Sequence, residues 1–510
     1  MILEALIGVT FLAALVVMLS PDEYAGRLAF ALSLLPVVGA LYMWAGFDAG
    51  GNALMAGSIA YRTQIDWLVA GGYQLQWFLG VDGISLPLVV LSTVLTTLAI
   101  LSAWTPIDTR QSQFYGLMLF MEANLLGVFT ALDFFLWFVF WEAVLVPMYF
   151  LIGVWGGPRR KYAAIKFFVY TNIASLAMFI GFMALVFNLP VDSFGLPAIT
   201  GSLQAGELTR FVGLDPAALK LAAFAAMFVG FAVKVPVVPF HTWLPDAHVE
   251  APTPVSVMLA GVLLKMGTYA LLRYNFTMMP DVATRPLVAT VIAAVAVVSV
   301  IYGAMLALAQ RDLKRIVAYS SVSSMGYVVL GLIAYTGLGI GGATFQMVAH
   351  GLISGLMFMS VGVVYNVTHT RMVGEMSGMA DRMPITVGIL VAGAFGYMGL
   401  PLMAGFAAEY FIFQGAFAST VIPSAPLFTA ASMFGIVIVA GYLLLAMQRT
   451  LFGEFRLETD YETRRAHFHD VAPLAVLLLC TIALGVAPDI FFVMITDAIE
   501  PVVAVVGGGA

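Results

Sequence analysis

Cysteine is all but missing: Cys480 is the only one among 510 residues. One thiol builds no disulfide framework within the chain and holds no cysteine-ligated iron–sulfur cluster. Charge is also scarce, at 10% of residues, where soluble domains carry roughly 25%. Long polar stretches are absent as well. The longest, about 47–81, 188–216 and 449–470, are too short for an independent domain that could hold a nucleotide or a redox centre. A basic leader is lacking too: the first apolar run, Ile2 to Leu19, carries Glu4 and reads as a retained span. The net charge of −6 sits mostly in short loops and says little.

What fills the chain is apolar. Hydrophobic residues make up 62%, mean hydropathy is +1.00, and runs of about twenty such residues recur throughout. The expectation is an all-α polytopic membrane protein of fourteen spans. They include 113–131 (span 4), 133–154 (span 5), 217–240 (span 7), 251–272 (span 8), 316–334 (span 10), 340–366 (span 11), 385–416 (span 12) and 471–495 (span 14). Four units are read: 1–112 with spans 1–3, 113–272, 287–452, and 453–510 with a loop and the last span. The two middle units are expected to be five-helix repeats, spans 4–8 and 9–13, of inverted orientation because five is odd. In each, the fourth member is broken: Pro236 and Pro239 interrupt span 7, and Gly399 with Pro401 interrupts span 12. The Gly393, Gly396, Gly399 series has helix-packing spacing and is not a phosphate loop.

Loops after odd-numbered spans carry fourteen Lys or Arg residues, including Arg27, Arg110, Arg159, Arg311, Lys314, Arg371, Arg449, Arg464 and Arg465. Loops after even-numbered spans carry four: Arg62, Arg210, Arg273 and Arg285. This bias places the odd loops inside and both termini outside.

Lysines stand deep in spans 7 and 8, Lys234 and Lys265, each roughly 20 Å into its helix at 1.5 Å per residue. Pro236 and Pro239 take no part as donors and free the carbonyls of Ala232 and Val235. A break of this kind survives in lipid only where protein or trapped water replaces the lost bonds. A kinked helix with a snorkelling lysine is the plainer reading. Glu122 in span 4, Glu142 in span 5, His350 in span 11 and Glu409 in span 12 complete a set of six ionisable groups inside apolar runs. An ion at the bilayer centre costs about 2.5–3.5 kcal/mol on insertion scales. A proton or ion path is therefore expected.

Desolvation favours a neutral lysine and a nearby carboxylate favours the ammonium, so a lysine with a movable partner is a switch. Glu142 is the expected partner of Lys234. Structural hydrogen bonding is the alternative for Glu142, Glu122 and His350. Gly351 and Gly355 beside His350 permit close helix contact. His241, Asp246 and His248, in HTWLPDAH, read as a loop-ordering or proton-mouth group, with a metal site as the alternative; His467 and His469 read as a solvated face.

Four segments carry a resemblance: WEAVLVPMYFLIGVWGG, KVPVVPFHTWLPDAHVEAPTPVSVMLAGVLLK, LKRIVAYSSVSSMGY and MVAHGLISGLMF. Together they resemble the antiporter-like subunits of respiratory complex I, a superfamily that includes its L, M and N subunits, Mrp cation/proton antiporter subunits and membrane-bound hydrogenase subunits. The chain is most similar to the M-type branch, because span 12 carries Glu409 where the others usually have lysine and because no long lateral helix follows span 14. The resemblance implies a proton-translocating membrane-arm subunit of NADH:quinone oxidoreductase, with Glu142, Lys234, Lys265, His350 and Glu409 as the relay and Glu122 as a further member. It implies no cofactor in this chain, with FMN and iron–sulfur clusters in partner subunits. The implied partners are the homologous L and N subunits, the lipid bilayer, protons and internal water, without nucleic acid. The implied location is the bacterial inner membrane with both termini periplasmic. The family usually has histidine where this chain has Ser324. The alternatives are an Mrp-type sodium/proton antiporter subunit and a non-pumping structural membrane subunit; a solute carrier lacks any pocket motif for an organic substrate.

Overall fold

The computed structural model describes residues 1–55, 57–211, 213–459 and 466–507, so Arg464 and Arg465 lie outside the described residues. Among the described residues, eleven helices are long and apolar enough to cross a membrane. Ile2–Met18, Gln111–Thr130 and the broken pair Pro384–Tyr397 and Ala404–Phe417 complete the expected fourteen. The chain is a multi-pass, all-α membrane protein.

Two spans are enclosed by the rest. Thr253–Thr277 (span 8) and Gly337–Thr368 (span 11) are wrapped by protein along their hydrophobic windows, whereas Pro286–Leu308 and Ala425–Thr450 show much of their surface outward. Polar side chains on the enclosed pair need protein or internal water as partners, because lipid offers none. The two cross where Gly261 and Gly351 meet: a Cβ on Gly351 would stand 2.8 Å from the Gly261 carbonyl oxygen.

Three expectations are corrected. First, 47–81 is not simply a polar loop. Ala60–Ala70 and Tyr73–Val81 form an antiparallel hairpin closed by Gly71 and Gly72, at φ +59° and +89°. A two-residue turn with positive φ at both positions matches the twist of paired strands. Second, the last span ends at Val486; Pro488 precedes a separate helix, Asp489–Ala504. Third, HTWLPDAH is helical, comprising the 3₁₀ turn Phe240–Thr242 and the helix Trp243–Glu250.

Both chain ends share one face. The N-terminal ammonium donates to Thr63 Oγ1 of the hairpin at 3.0 Å, and Asn52 Nδ2 donates to the Ala498 carbonyl at 2.9 Å. On the opposite face the basic loop residues are tied by carboxylates. Asp246 pairs with Lys166 and Arg315 at 2.8 and 2.7 Å, and Asp312 pairs with Arg371 at 2.6 Å.

Candidate proton-relay site

Span 7 stops at Lys234, the last residue of Pro216–Lys234. The break is satisfied by protein. The Val237 N–H donates to the Ala232 carbonyl at 3.2 Å, so that carbonyl is paired, contrary to the sequence expectation. The Trp243 indole N–H donates to the Val233 carbonyl at 2.8 Å, and the Val238 N–H donates to Ser299 Oγ at 2.9 Å. The lysine therefore ends a half-helix, where the negative pole of the backbone dipole favours a cation.

Lys234 is 3% exposed and its Nζ has no hydrogen-bond partner. It lies over the Trp141 ring, 3.9 Å from the centroid, a cation–π contact of about 2 kcal/mol when desolvated. Trp141 is fixed by its own indole N–H, which donates to Ser175 Oγ at 2.9 Å. Glu142 lies within electrostatic reach of Lys234 but makes no ion pair with it. Its Oε2 instead accepts from Asn172 Nδ2 at 3.2 Å. The expected carboxylate partner is thus nearby and turned aside.

Lys265 and His350 do meet. Lys265 Nζ lies 2.6 Å from His350 Nδ1 and donates to the Ala260 carbonyl at 2.5 Å. Neither residue has appreciable exposure. The local cause is a π-helical turn, Leu259–Leu263, just before Lys265, with a second at Leu271–Thr277. Such turns displace the regular i→i−4 ladder and free carbonyls for side chains. The Lys265–His350 contact admits a donor at either end: an ammonium or amine N–H donates to Nδ1, or Nδ1–H donates to the amine.

Beyond His350 runs a line of hydroxyls that the sequence did not single out. The Tyr397 ring stands 5.7 Å from the His350 ring, and its hydroxyl faces Ser321 and Ser354 without a direct hydrogen bond. Tyr442 donates to Ser320 Oγ at 2.6 Å. Tyr442 and Tyr327 are both within electrostatic reach of Glu409. Glu409 is 4% exposed, with Oε2 buried and unpaired. It stands beside Gly399 in the break of span 12. Ser324 is buried one turn along from Ser320. Glu122 is buried with both oxygens unpaired and touches no other member of the set through a hydrogen bond.

His248 is also placed differently from expectation. It is not near solvent: it is fully buried, stacked on Phe358 at 4.4 Å, with neither ring nitrogen hydrogen-bonded. Burial, and then the charges of Lys314 and Lys265, hold its imidazole well below the ordinary range. His241 is lowered too, by burial and then Lys166. His467 caps the helix Phe468–Val486, and His469 bonds Thr105 at 2.9 Å. Among the described residues, no group of three or more His, Cys, Asp or Glu is placed to hold a metal ion.

Lysine, histidine and glutamate thus lie inside the protein, with tyrosine and serine hydroxyls placed between His350 and Glu409. The family model described as NADH:quinone oxidoreductase/Mrp antiporter, TM, matches residues 131–438, which contain every candidate relay residue except Glu122. The chain belongs to that family. Among its relatives, F(420)H(2) dehydrogenase subunit M of Methanosarcina mazei is 36% identical over 487 residues, covering 95% of this chain and 94% of the relative. NAD(P)H-quinone oxidoreductase chain 4 3 of Trichormus variabilis is 38% identical over 502 residues, covering 96% and 88%. Among solved structures, a chain of respiratory complex I from Thermus thermophilus with bound NADH superposes at TM-score 0.86 with 25% identity, over 100% of both chains. A chain of the Mrp complex from Dietzia sp. shares the fold at TM-score 0.82, with 20% identity, over 100% of this chain and 99% of that one. This family member therefore keeps the family's fold along its whole length.

Proposed function

We propose that the chain is a proton-translocating membrane-arm subunit of a quinone-reducing oxidoreductase of the complex I class. Electron transfer runs in other subunits, which hold the FMN and iron–sulfur clusters. The supporting observation is the Lys265–His350 contact at 2.6 Å inside the protein-wrapped spans 8 and 11, flanked by Lys234 and Glu409. Protons are taken up toward Lys234, whose hold on its proton is set by the distance of Glu142. They cross a hydrated middle past Lys265 and His350, and leave by Glu409 on the other side. Tyr397, Tyr442 and the serines of span 10 supply hydroxyl positions for that last stretch.

The organisation proposed with this function is a pair of inverted five-helix repeats, spans 4–8 and 9–13, with Lys234 and Glu409 at the two breaks. The units are 1–112, 113–272, 287–452 and 453–510. The partners are the L- and N-type antiporter-like subunits, and the membrane is the bacterial inner membrane, with both termini periplasmic. The relatives' names differ in electron donor, NAD(P)H against F(420)H(2); the donor is therefore a property of partner subunits.

The test is Lys234→Ala in native membranes, with quinone-linked oxidation and proton uptake into inverted vesicles recorded after assembly is confirmed. Loss of pumping and of coupled turnover in an assembled complex is expected. Unchanged pumping would leave the chain as scaffold. Replacing sodium by potassium in the same vesicles separates proton translocation from sodium/proton exchange: pumping independent of sodium is expected.

A further inference from the structure

Trp141 and Glu142 are neighbours in span 5 and face different sides. At 3.6 residues per turn, consecutive side chains stand about 100° apart around a helix. Trp141 is buried, with the Lys234 ammonium 3.9 Å from the centre of its ring. Glu142 is half-buried and bonded to Asn172 of the helix Arg160–Val186. Lys234 Nζ has no hydrogen-bond partner among the described residues, so the ring face is the contact that receives its charge.

The ring is held from three directions. Its indole N–H donates to Ser175 Oγ at 2.9 Å. The Trp137 ring stands 4.8 Å away, and the Phe231 ring, one turn before Lys234 in span 7, meets it edge-on at 5.7 Å and 76°. With its N–H satisfied and rings packed on two sides, Trp141 cannot swing aside without leaving a void. Its face carries negative potential where the cation sits.

A π face suits a proton carrier in a way that a carboxylate does not. It attracts the ammonium but is not a base, so it cannot take the proton. It also leaves all three N–H bonds to water. A carboxylate in contact would hold the charged form harder and could itself be protonated. The backbone of span 5 permits an exchange between the two. The span is interrupted at Val144, between the helices Phe134–Ala143 and Leu145–Trp155. Pro147 offers no N–H to the Ala143 carbonyl, and the Met148 N–H reaches the Val144 carbonyl only at 3.5 Å. The span is thus weakly bonded directly after the pair.

We propose that Trp141 is a positioning residue for proton transfer: its ring face holds the Lys234 ammonium while Glu142 is turned toward Asn172, and Lys234 hands on its proton from that position. The inference rests on the proposed function and adds to it the residue that keeps Lys234 charged without a carboxylate in contact. In the transfer the ammonium loses one N–H proton to a water, giving the amine and hydronium. Trp141 gains and loses nothing.

The test uses the intact complex in native membranes, with Trp141 replaced through nonsense suppression by its mono-, di- and trifluoro analogues. Fluorine withdraws electron density from the ring face in steps and leaves the indole N–H and most of the shape unchanged. Expected is proton uptake, per assembled complex, that falls with each fluorine, by about fivefold in all with three. A ring that only packs would tolerate all three, so full pumping with trifluorotryptophan overturns the inference. Should the analogues fail to be incorporated, Trp141→Phe and Trp141→Leu decide. The variant that keeps a ring is expected to pump clearly faster, and equal pumping in the two overturns the inference. Lys234→Ala keeps the two proposals apart. If it stops pumping while the fluorinated proteins pump normally, the role of the ring is wrong and the proposed function stands. If Lys234→Ala pumps normally, both fall.

Discussion

Asp82 and Arg273 face each other at 2.5 Å, with 0% and 1% of their side chains exposed. Asp82 also accepts from the backbone N–H groups of Ala53, Ile84 and Ser85, while Arg273 donates to Asn52 Oδ1 at 3.2 Å. Removing one partner of such a pair leaves a buried charge uncompensated, at a cost of about 3–5 kcal/mol, while replacing both with apolar groups is often neutral. Asp82→Ala is therefore expected to lower the amount of assembled subunit in membranes sharply, and Asp82→Leu combined with Arg273→Met to restore much of it. Blotting of native gels measures both; equal loss in the two would refute the pairing argument. Burial pushes the Asp82 carboxyl up, but Arg273 outweighs burial and holds it below the ordinary carboxylate range. Its contribution to stability is thus complete above that range and is lost as pH falls through its lower folded value. Sequence reasoning treated Arg273 as a loop charge because it follows an apolar run; the π turn that draws it inward leaves no mark in the sequence. The six ionisable residues of the apolar runs were legible, five of them buried and Glu142 half-buried, because lysine, glutamate and histidine inside such runs are costly enough to stand out. Tyr397, Tyr442, Ser320 and Ser354 were not, since hydroxyls cost little in a helix and only their positions tell.

At the scale of elements, the two broken spans were readable from proline and glycine alone. The hairpin was not, because its outward strand, from Ala60 to Ala70, is exposed along most of its length and shows no buried alternation. Each break holds its ionisable residue differently. Span 7 ends on Lys234, whereas span 12 brings Gly399 against Glu409 from the other side of the gap. Gly399 has φ +64°, and a Cβ there would stand 2.5 Å from Glu409 Oε2. An L-residue in that conformation costs about 1–2 kcal/mol, and the carboxylate would also have to move. Gly399→Ala is expected to assemble but to slow proton release, seen as reduced proton uptake per electron in inverted vesicles. Gly388, in the half-helix Pro384–Tyr397 that precedes the break and with open space around it, is the control: Gly388→Ala should pump normally and gain about 1 kcal/mol from helix propensity. Equal effects at both positions would mean that the contact with Glu409 is immaterial.

For the molecule as a whole, the direction of transport depends on which face is inside. The contacts of Met1 with Thr63 and of Asn52 with Ala498 put both ends and the hairpin on one face. The paired basic residues Arg315 and Arg371, with a cavity at Lys314, belong to the other. A positively charged face is retained on the inner side of the membrane, so the hairpin is expected to look outward. The lone cysteine makes this easy to examine. In a Cys480→Ser background, Val69→Cys on the hairpin, where the valine is 73% exposed, is expected to react with an impermeant maleimide in intact cells. Arg160→Cys should react only after the membrane is opened. The reverse pattern would turn the chain over, placing Glu409 on the uptake side. The residues of the path would keep their places, but every proposed step would have to run backwards. Labelling therefore decides whether the geometry describes uptake or release, before any pumping assay is interpreted.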